Sequence, residues 1–206
     1  MQNQLNLEAA SQFLSQLDED WAQLIATVGE CGFESSPDDE PYAALIRAVA
    51  YQQLHGKAGD AIIKRFLSVY NDTFPLPSQL ITTEFDVLRA CGFSARKIET
   101  IQGIALAALS GFIPSRLEAD TMTDEALIAR LITLKGIGRW SVEILLMFTL
   151  QRLDVLPAAD FGVVQGYKRL KKLDAPPSAK QMTEIAKAFS PYRTIASWYL
   201  WRVPTS

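Results

Sequence analysis

Two short stretches hold residues whose types and spacing could do chemistry. In residues 134–143, "LKGIGRWSVE", Gly136 and Gly138 stand two apart between apolar runs, with Lys135 before the first and Arg139 after the second. Glycines leave their amides uncovered and permit backbone conformations denied to other residues. Helix, short glycine turn, helix is then a compact way to point N–H groups and a helix N-terminus outward, toward an anion. Glycine favours an ordinary tight turn between helices for the same reasons, so the pair alone leaves both readings open. In residues 154–163, "DVLPAADFGV", Asp160 follows a proline-containing irregular run and opens a helical pattern. An aspartate there is a common N-cap, and the positive end of a helix favours a carboxylate whatever else that group does.

The elements that must position these residues are helical almost throughout. Leu7, Ala10, Leu14, Leu17, Trp21, Leu24 and Val28 alternate steps of three and four, which predicts one helix ending near Gly29. "SSPDDEP" is a polar connector, and Pro41 opens a second helix with Tyr42, Leu45, Ile46 and Val49 on its buried side. A third helix is expected over about 57–70, followed by a break at "NDTFPLPSQ" and a short helix in "TEFDVLRACG" stopped by Gly92. Ser94 can cap the helix to Leu109, and Thr123 one to Leu134, where the glycine stretch interrupts it. Helices are expected again over 139–150 and about 161–172. Ser178 with Gln181 forms a capping-box signature, and a last, aromatic-rich helix covers 192–202. No alternating strand and no internal repeat is found, so the class is all-α.

The 206 residues suffice for one large domain or two small interleaved ones. No apolar run reaches the roughly 18 residues of a membrane span, and the N-terminus lacks the basic and apolar regions of a signal peptide. Cys31 and Cys91 have no partners at metal-ligand spacing. That argues against a disulfide framework, a zinc site or a four-cysteine iron–sulfur cluster, and for a protein with reduced thiols inside the cell. The net charge of −3 hides an asymmetry: residues 1–40 contain no Lys or Arg, whereas 130–172 carry eight against Glu143, Asp154 and Asp160. Local field matters more than net charge when a polyanion docks.

Residues 134–142, the segment "DVLPAADFGV" about twenty residues on, and "AVAYQQLHGKAGDAI" upstream resemble, together and in this order, the helix–hairpin–helix DNA glycosylase superfamily. Within it they are similar to the DNA-3-methyladenine glycosylase II (AlkA/Mag-type) alkylpurine branch, over roughly Pro41 to the C-terminus. The fold so implied is two helical subdomains with a central cleft: 42–155 with the helix–hairpin–helix motif at about 123–150, and 1–41 plus 156–206 supplying the catalytic aspartate. The activity implied is hydrolysis of the N-glycosidic bond of alkylated purines in duplex DNA, leaving an abasic site. Two alternatives stand beside it: a glycosylase for another lesion on this fold, and a non-enzymatic DNA-binding protein that uses the hairpin alone. The partner is double-stranded DNA with alkylated bases, not a membrane; the chain is expected to be monomeric, intracellular and DNA-associated, and no cofactor is implied.

The resemblance also distributes roles. Asp160 falls at the catalytic position; many relatives have two adjacent acids there, and here Ala159 fills the first. Trp140 and Trp201 match pocket tryptophans, while Ile144 replaces a further aromatic of the bacterial archetype. Leu54 falls where the family inserts a wedge into the gap left by a flipped nucleotide, with Gln53 and His55 as flanking DNA contacts. Lys135, Gly136, Ile137, Gly138 and Arg139 are expected to meet phosphates, and the backbone of 134–138 could hold a monovalent cation; no other metal is implied. Relatives that also cut the strand carry a lysine at the position of Trp140, so water is the expected nucleophile here. Read from residue type alone, Asp160 is an N-cap, either tryptophan a core residue and Leu54 a plain buried leucine.

Overall fold

The computed structural model describes residues 2–36, 39–54 and 56–204, with 2–6 as backbone only. Among the described residues there are thirteen α-helices and no strand. In chain order they are α1 (Gln2–Ser15), α2 (Glu19–Val28), α3 (Pro41–Tyr51), α4 (Gly56–Ser68), α5 (Pro77–Thr82), α6 (Phe85–Cys91) and α7 (Ala95–Leu109). Then follow α8 (Arg116–Thr121), α9 (Asp124–Leu131), α10 (Arg139–Phe148), α11 (Phe161–Leu170), α12 (Ala179–Ile185), continued by a 3₁₀ turn Ala186–Phe189, and α13 (Arg193–Leu200). Among the described residues no helix is long and apolar enough to cross a membrane.

Several helix starts lie where their caps put them. The hydroxyls of Ser94, Thr123 and Ser178 accept from the amides of Lys97, Ala126 and Gln181, opening α7, α9 and α12. One expectation needs correction. The single helix over 7–28 is two, because Asp18 leaves the helical conformation and caps α2 through Trp21 N at 3.2 Å. The Lys171 ammonium then holds Asp18 and Asp20 at 2.6 and 2.8 Å. Six-residue helices at α5 and α8 were not anticipated. Each is closed by a local device, Gln79 back to Leu76 N at 2.8 Å and Glu118 back to Ser115 N at 2.8 Å, in segments too short to show a period.

The chain forms two compact units, one of residues 1–35 with 151–206 and the other of residues 36–150. The core of the first gathers Leu14, Trp21, Val163, Met182, Phe189, Ile195 and Tyr199, with Trp21 edge-on to Phe189 at 5.0 Å between centroids. In the second, Phe66 meets Tyr70, Phe74 and Phe93 edge-on at 5.3–5.7 Å, while Leu45, Ile46, Ile98, Ile101 and Ile104 join α3 to α7. Fully burying such a side chain is worth about 1.5–3 kcal/mol, so each cluster holds the helices of its own unit together.

Candidate active site and nucleic-acid interface

In the unit of 1–35 and 151–206, the irregular run before α11 is stitched to the start of α13. Arg193 clamps Asp154 with Nε–Oδ1 at 2.6 Å and Nη2–Oδ2 at 2.9 Å, and the Ser190 hydroxyl donates to Oδ2 at 2.8 Å. Burial works against the Asp154 carboxylate, yet the Arg193 and Ser190 bonds bring it below the ordinary carboxylate range. Thr194 donates to Arg152 O at 2.6 Å and accepts from Val155 N at 3.2 Å, and its own amide reaches Leu153 O at 2.9 Å. A proline-containing loop without internal ladder bonds thereby acquires a fixed course.

That course delivers Asp160 to the N-cap of α11. Its Oδ1 accepts from Val163 N at 2.8 Å and from the indole N–H of Trp201 at 2.8 Å, just past the end of α13. Gly162 makes the approach possible: a Cβ there would lie 2.6 Å from Trp201 Cδ1. Two donors on one oxygen fix both the position and the plane of the carboxylate. Asp160 and Trp201 are half-buried, and Phe161 between Asp160 and Gly162 is exposed.

In the unit of 36–150, the glycine stretch links α9 to α10. Gly136 has φ +84°, and a Cβ there would fall 2.1 Å from Thr100 Oγ1, so conformation and space both require glycine. Gly138, the N-cap of α10, has ordinary extended backbone and nothing within 4 Å of where a Cβ would be. Its exposed face is open to an approaching group. The side chain of Ile137 is 5% exposed and anchors the turn in the core, while its amide bonds Leu134 O at 3.1 Å. An apolar residue between two exposed glycines is the turn's natural anchor.

Both hairpin cations carry carboxylate partners. Lys135 pairs with Glu99 at 2.8 Å, and Arg139 with Glu125 at 2.6 Å and Glu143 at 2.9 Å. The Glu125 hydrogen bond, together with Glu143, raises Arg139 above its ordinary value. Glu143 is buried and fixes the guanidinium along α10, whereas Glu125 and Lys135 are exposed and their pairs are weak in water. Trp140, the second residue of α10, is half-buried.

The turn between α3 and α4 carries the remaining candidates. Gln53 adopts φ +58°, uncommon for a residue that is neither glycine nor asparagine, and Leu54 is 41% exposed, which removes the plain-buried-leucine reading. His55 lies outside the described residues. Two residues the sequence reading overlooked hold this turn. Gln52 Nε2 donates to Gly136 O at 3.1 Å and Ser141 Oγ at 3.0 Å; Lys97 Nζ donates to Ala50 O at 2.9 Å and Gln52 O at 3.0 Å. Neither has a spacing signature, since each acts on an element far away in sequence. A groove of about 330 Å³ lined by Gln53, Arg96, Lys97, Lys135 and Gly136 runs between turn and hairpin.

With hairpin, exposed leucine turn and capped aspartate in place, comparison with known families is decisive: the model of the HhH-GPD superfamily base excision DNA repair proteins matches residues 46–191. The chain belongs to this family.

HhH-GPD relatives match it over nearly its whole length. DNA-3-methyladenine glycosylase 1 of Schizosaccharomyces pombe is 46% identical over 199 residues, covering 96% of this chain and 87% of that one. The alkylbase DNA glycosidase-like protein mag2 of the same yeast is 37% identical over 206 residues, 99% of this chain and 97% of that one. Among solved structures, S. pombe 3-methyladenine DNA glycosylase (Mag1) in complex with abasic DNA superposes with TM-score 0.91 at 46% identity, covering 94% and 95% of the two chains. The all-helical architecture is thus that of HhH-GPD proteins.

Proposed function

We propose that this HhH-GPD protein is a monofunctional glycosylase that removes alkylated purines from duplex DNA and leaves an abasic site. The observation that carries the reading is the Asp160 carboxylate, aligned by Val163 N and Trp201 Nε1 at 2.8 Å each, in a chain 46% identical to a 3-methyladenine glycosylase.

Breaking an N-glycosidic bond sends its electron pair to the base and leaves oxocarbenium character on the sugar. A purine alkylated at N3 or N7 is cationic and departs neutral, so no general acid is needed, in contrast to ordinary glycosidases with their paired carboxyl groups. One fixed negative charge beside the sugar is then the main requirement, and preorganised charge costs no reorganisation during the reaction. Asp160 supplies it. Water adds to C1′ and gives its surplus proton to the Asp160 carboxylate or to solvent, and the strand stays intact because Trp140 offers no amine for a Schiff base.

The base must leave the stack first, at a cost of a few kcal/mol. Leu54, apolar yet exposed, fits a wedge that fills the vacated space, and Trp140 and Trp201 offer ring faces that attract a cationic base by about 0.5–2 kcal/mol each. The exposed amide face at Gly138 suits a phosphate. The carbonyls of Leu134 and Gly136, each retaining a lone pair, are oxygen donors of the kind a monovalent cation takes. The partner is alkylated duplex DNA, so the protein works in the compartment that holds DNA, as a monomer.

The test is an excision assay on methylated duplex DNA for wild type and Asp160→Asn, with end-labelled strands analysed with and without hot alkali. Wild type should release methylated purines and leave strands that break only in alkali. The variant should lose nearly all excision while still binding an abasic-site duplex. Full activity in the variant removes Asp160 from the mechanism; breaks without alkali overturn the monofunctional assignment.

A further inference from the structure

The exposed Leu54 sits on a turn that no local hydrogen-bond ladder explains. Leu54 N reaches back to Tyr51 O at 3.1 Å, and of the two residues between them Gln53 is left-handed. A non-glycine residue held at φ +58° persists only where its surroundings over-determine it. Two side chains do so. Lys97, half-buried at the start of α7, donates to Ala50 O and Gln52 O, carbonyls at the C-terminal end of α3 that the helix leaves unpaired. Burial pulls the Lys97 ammonium below the ordinary lysine value, which fits a group committed to the protein rather than to solvent. Gln52 lies within the turn yet sends its amide to the hairpin carbonyl of Gly136 and to the buried Ser141 hydroxyl, at the start of α10.

Gln52 therefore belongs to both DNA-facing elements of this unit, and Lys97 clamps the carbonyl of Gln52 itself. We propose that Gln52 and Lys97 are positioning residues that lock the Leu54 turn in register with the helix–hairpin–helix, so that the wedge enters the duplex at a fixed offset from the phosphate held at the hairpin. The inference rests on the reading of Leu54 as the wedge. Neither residue needs to touch DNA for this role. Loss of either lets the turn relax from its left-handed conformation and uncouples wedge from anchor, whereas the hairpin keeps its own fold through Gly136, Ile137 and the Glu143–Arg139 pair.

The experiment uses the full chain and two probes, a duplex carrying an abasic-site analogue and the same strand single. Affinity for each, single-turnover excision on methylated duplex and thermal melting are measured for Leu54→Ala, Gln52→Ala, Lys97→Met, Lys97→Arg and the Gln52→Ala/Leu54→Ala double variant. Expected is a roughly tenfold fall in duplex-over-single-strand preference for Leu54→Ala, and a fall of several-fold for Gln52→Ala and Lys97→Met, consistent with one or two lost hydrogen bonds to a shared element. Lys97→Arg, which keeps charge and donors, should recover most of the preference, and the double variant should be no worse than Leu54→Ala alone. Unchanged preference in Gln52→Ala and Lys97→Met, with Leu54→Ala lowered, overturns the positioning role and leaves the wedge intact. Fully multiplicative losses in the double variant overturn it too. Unchanged preference in Leu54→Ala overturns the wedge itself, and this inference with it.

Discussion

The indole N–H of Trp201 lies 2.8 Å from Oδ1 of Asp160, an oxygen that also takes the amide of Val163. A tryptophan matched by family resemblance to a base-stacking position is thus tied to the carboxylate that would meet the sugar. Removing the N–H while keeping an aromatic ring separates the two roles. Hydrogen bonds to charged groups are worth about 1.5–3 kcal/mol, so Trp201→Phe should slow single-turnover excision by about 10- to 100-fold. In the Asp160→Asn background the same change should add little, because both act on one group. Equal slowing in both backgrounds would assign Trp201 to stacking alone.

Gly162 offers the same test through shape. A Cβ at 162 would lie 2.6 Å from Trp201 Cδ1 and 3.1 Å from Asp160 Oδ1, so Gly162→Ala should push the indole off the carboxylate. Excision should fall as in Trp201→Phe while abasic-duplex binding is kept, and Trp201 fluorescence should change. Wild-type excision rates would show that the indole does not need its place.

The two hairpin glycines should respond unequally to alanine. Gly136→Ala meets both a left-handed φ of +84° and Thr100 Oγ1 at 2.1 Å, so it should cost about 1–3 kcal/mol of stability in denaturant unfolding. Gly138→Ala, with open space and extended backbone, should cost less than about 1 kcal/mol. Gly138→Asp should weaken DNA binding far more than stability, since it sets negative charge at the exposed amide face. If Gly138→Asp binds DNA normally, the hairpin is not the anchor.

Arg139 is held by Glu125 and Glu143, and only Glu125 is exposed. Glu125→Gln should release one side of the guanidinium toward phosphate and remove a repelling charge. DNA affinity should rise, and the slope of log affinity against log salt should steepen by up to about one unit. An unchanged slope would make Arg139 a brace between α9 and α10 rather than a DNA contact.

Asp154 supports a pH experiment. Its pKa in the folded chain lies below the unfolded value of about 3.9 through Arg193 and Ser190, so its contribution is complete above that value and fades as pH falls through the lower folded one. Asp154→Asn should therefore melt below wild type at about pH 7, with the gap closing as pH falls below the ordinary carboxylate range. Both partners are about a third exposed, at 37% and 35%, so solvent keeps the effect modest and added salt should shrink it. A gap that persists in acid would assign the loss to packing.

What the sequence determined by itself is local. Ser94, Thr123 and Ser178 cap the helices they precede because an N-cap bond closes within three residues and depends on little else. The all-α class and the helix opened by Asp160 follow from the same short-range rules, and the order of three motifs carried the family. The break at Asp18 escaped the pattern because the apolar stripe continues across it, and α5 and α8 are too short for a period to register. Tertiary structure alone decided what each candidate touches. Trp201 reaches Asp160 across 41 positions and Gln52 reaches Gly136 across 84, and neither spacing signals the contact. The buried side chain of Ile137 and the carboxylates on Lys135 and Arg139 were equally invisible. Burial and ion pairing are set by which helices pack together, and the same residue type serves core, clamp or surface according to that packing.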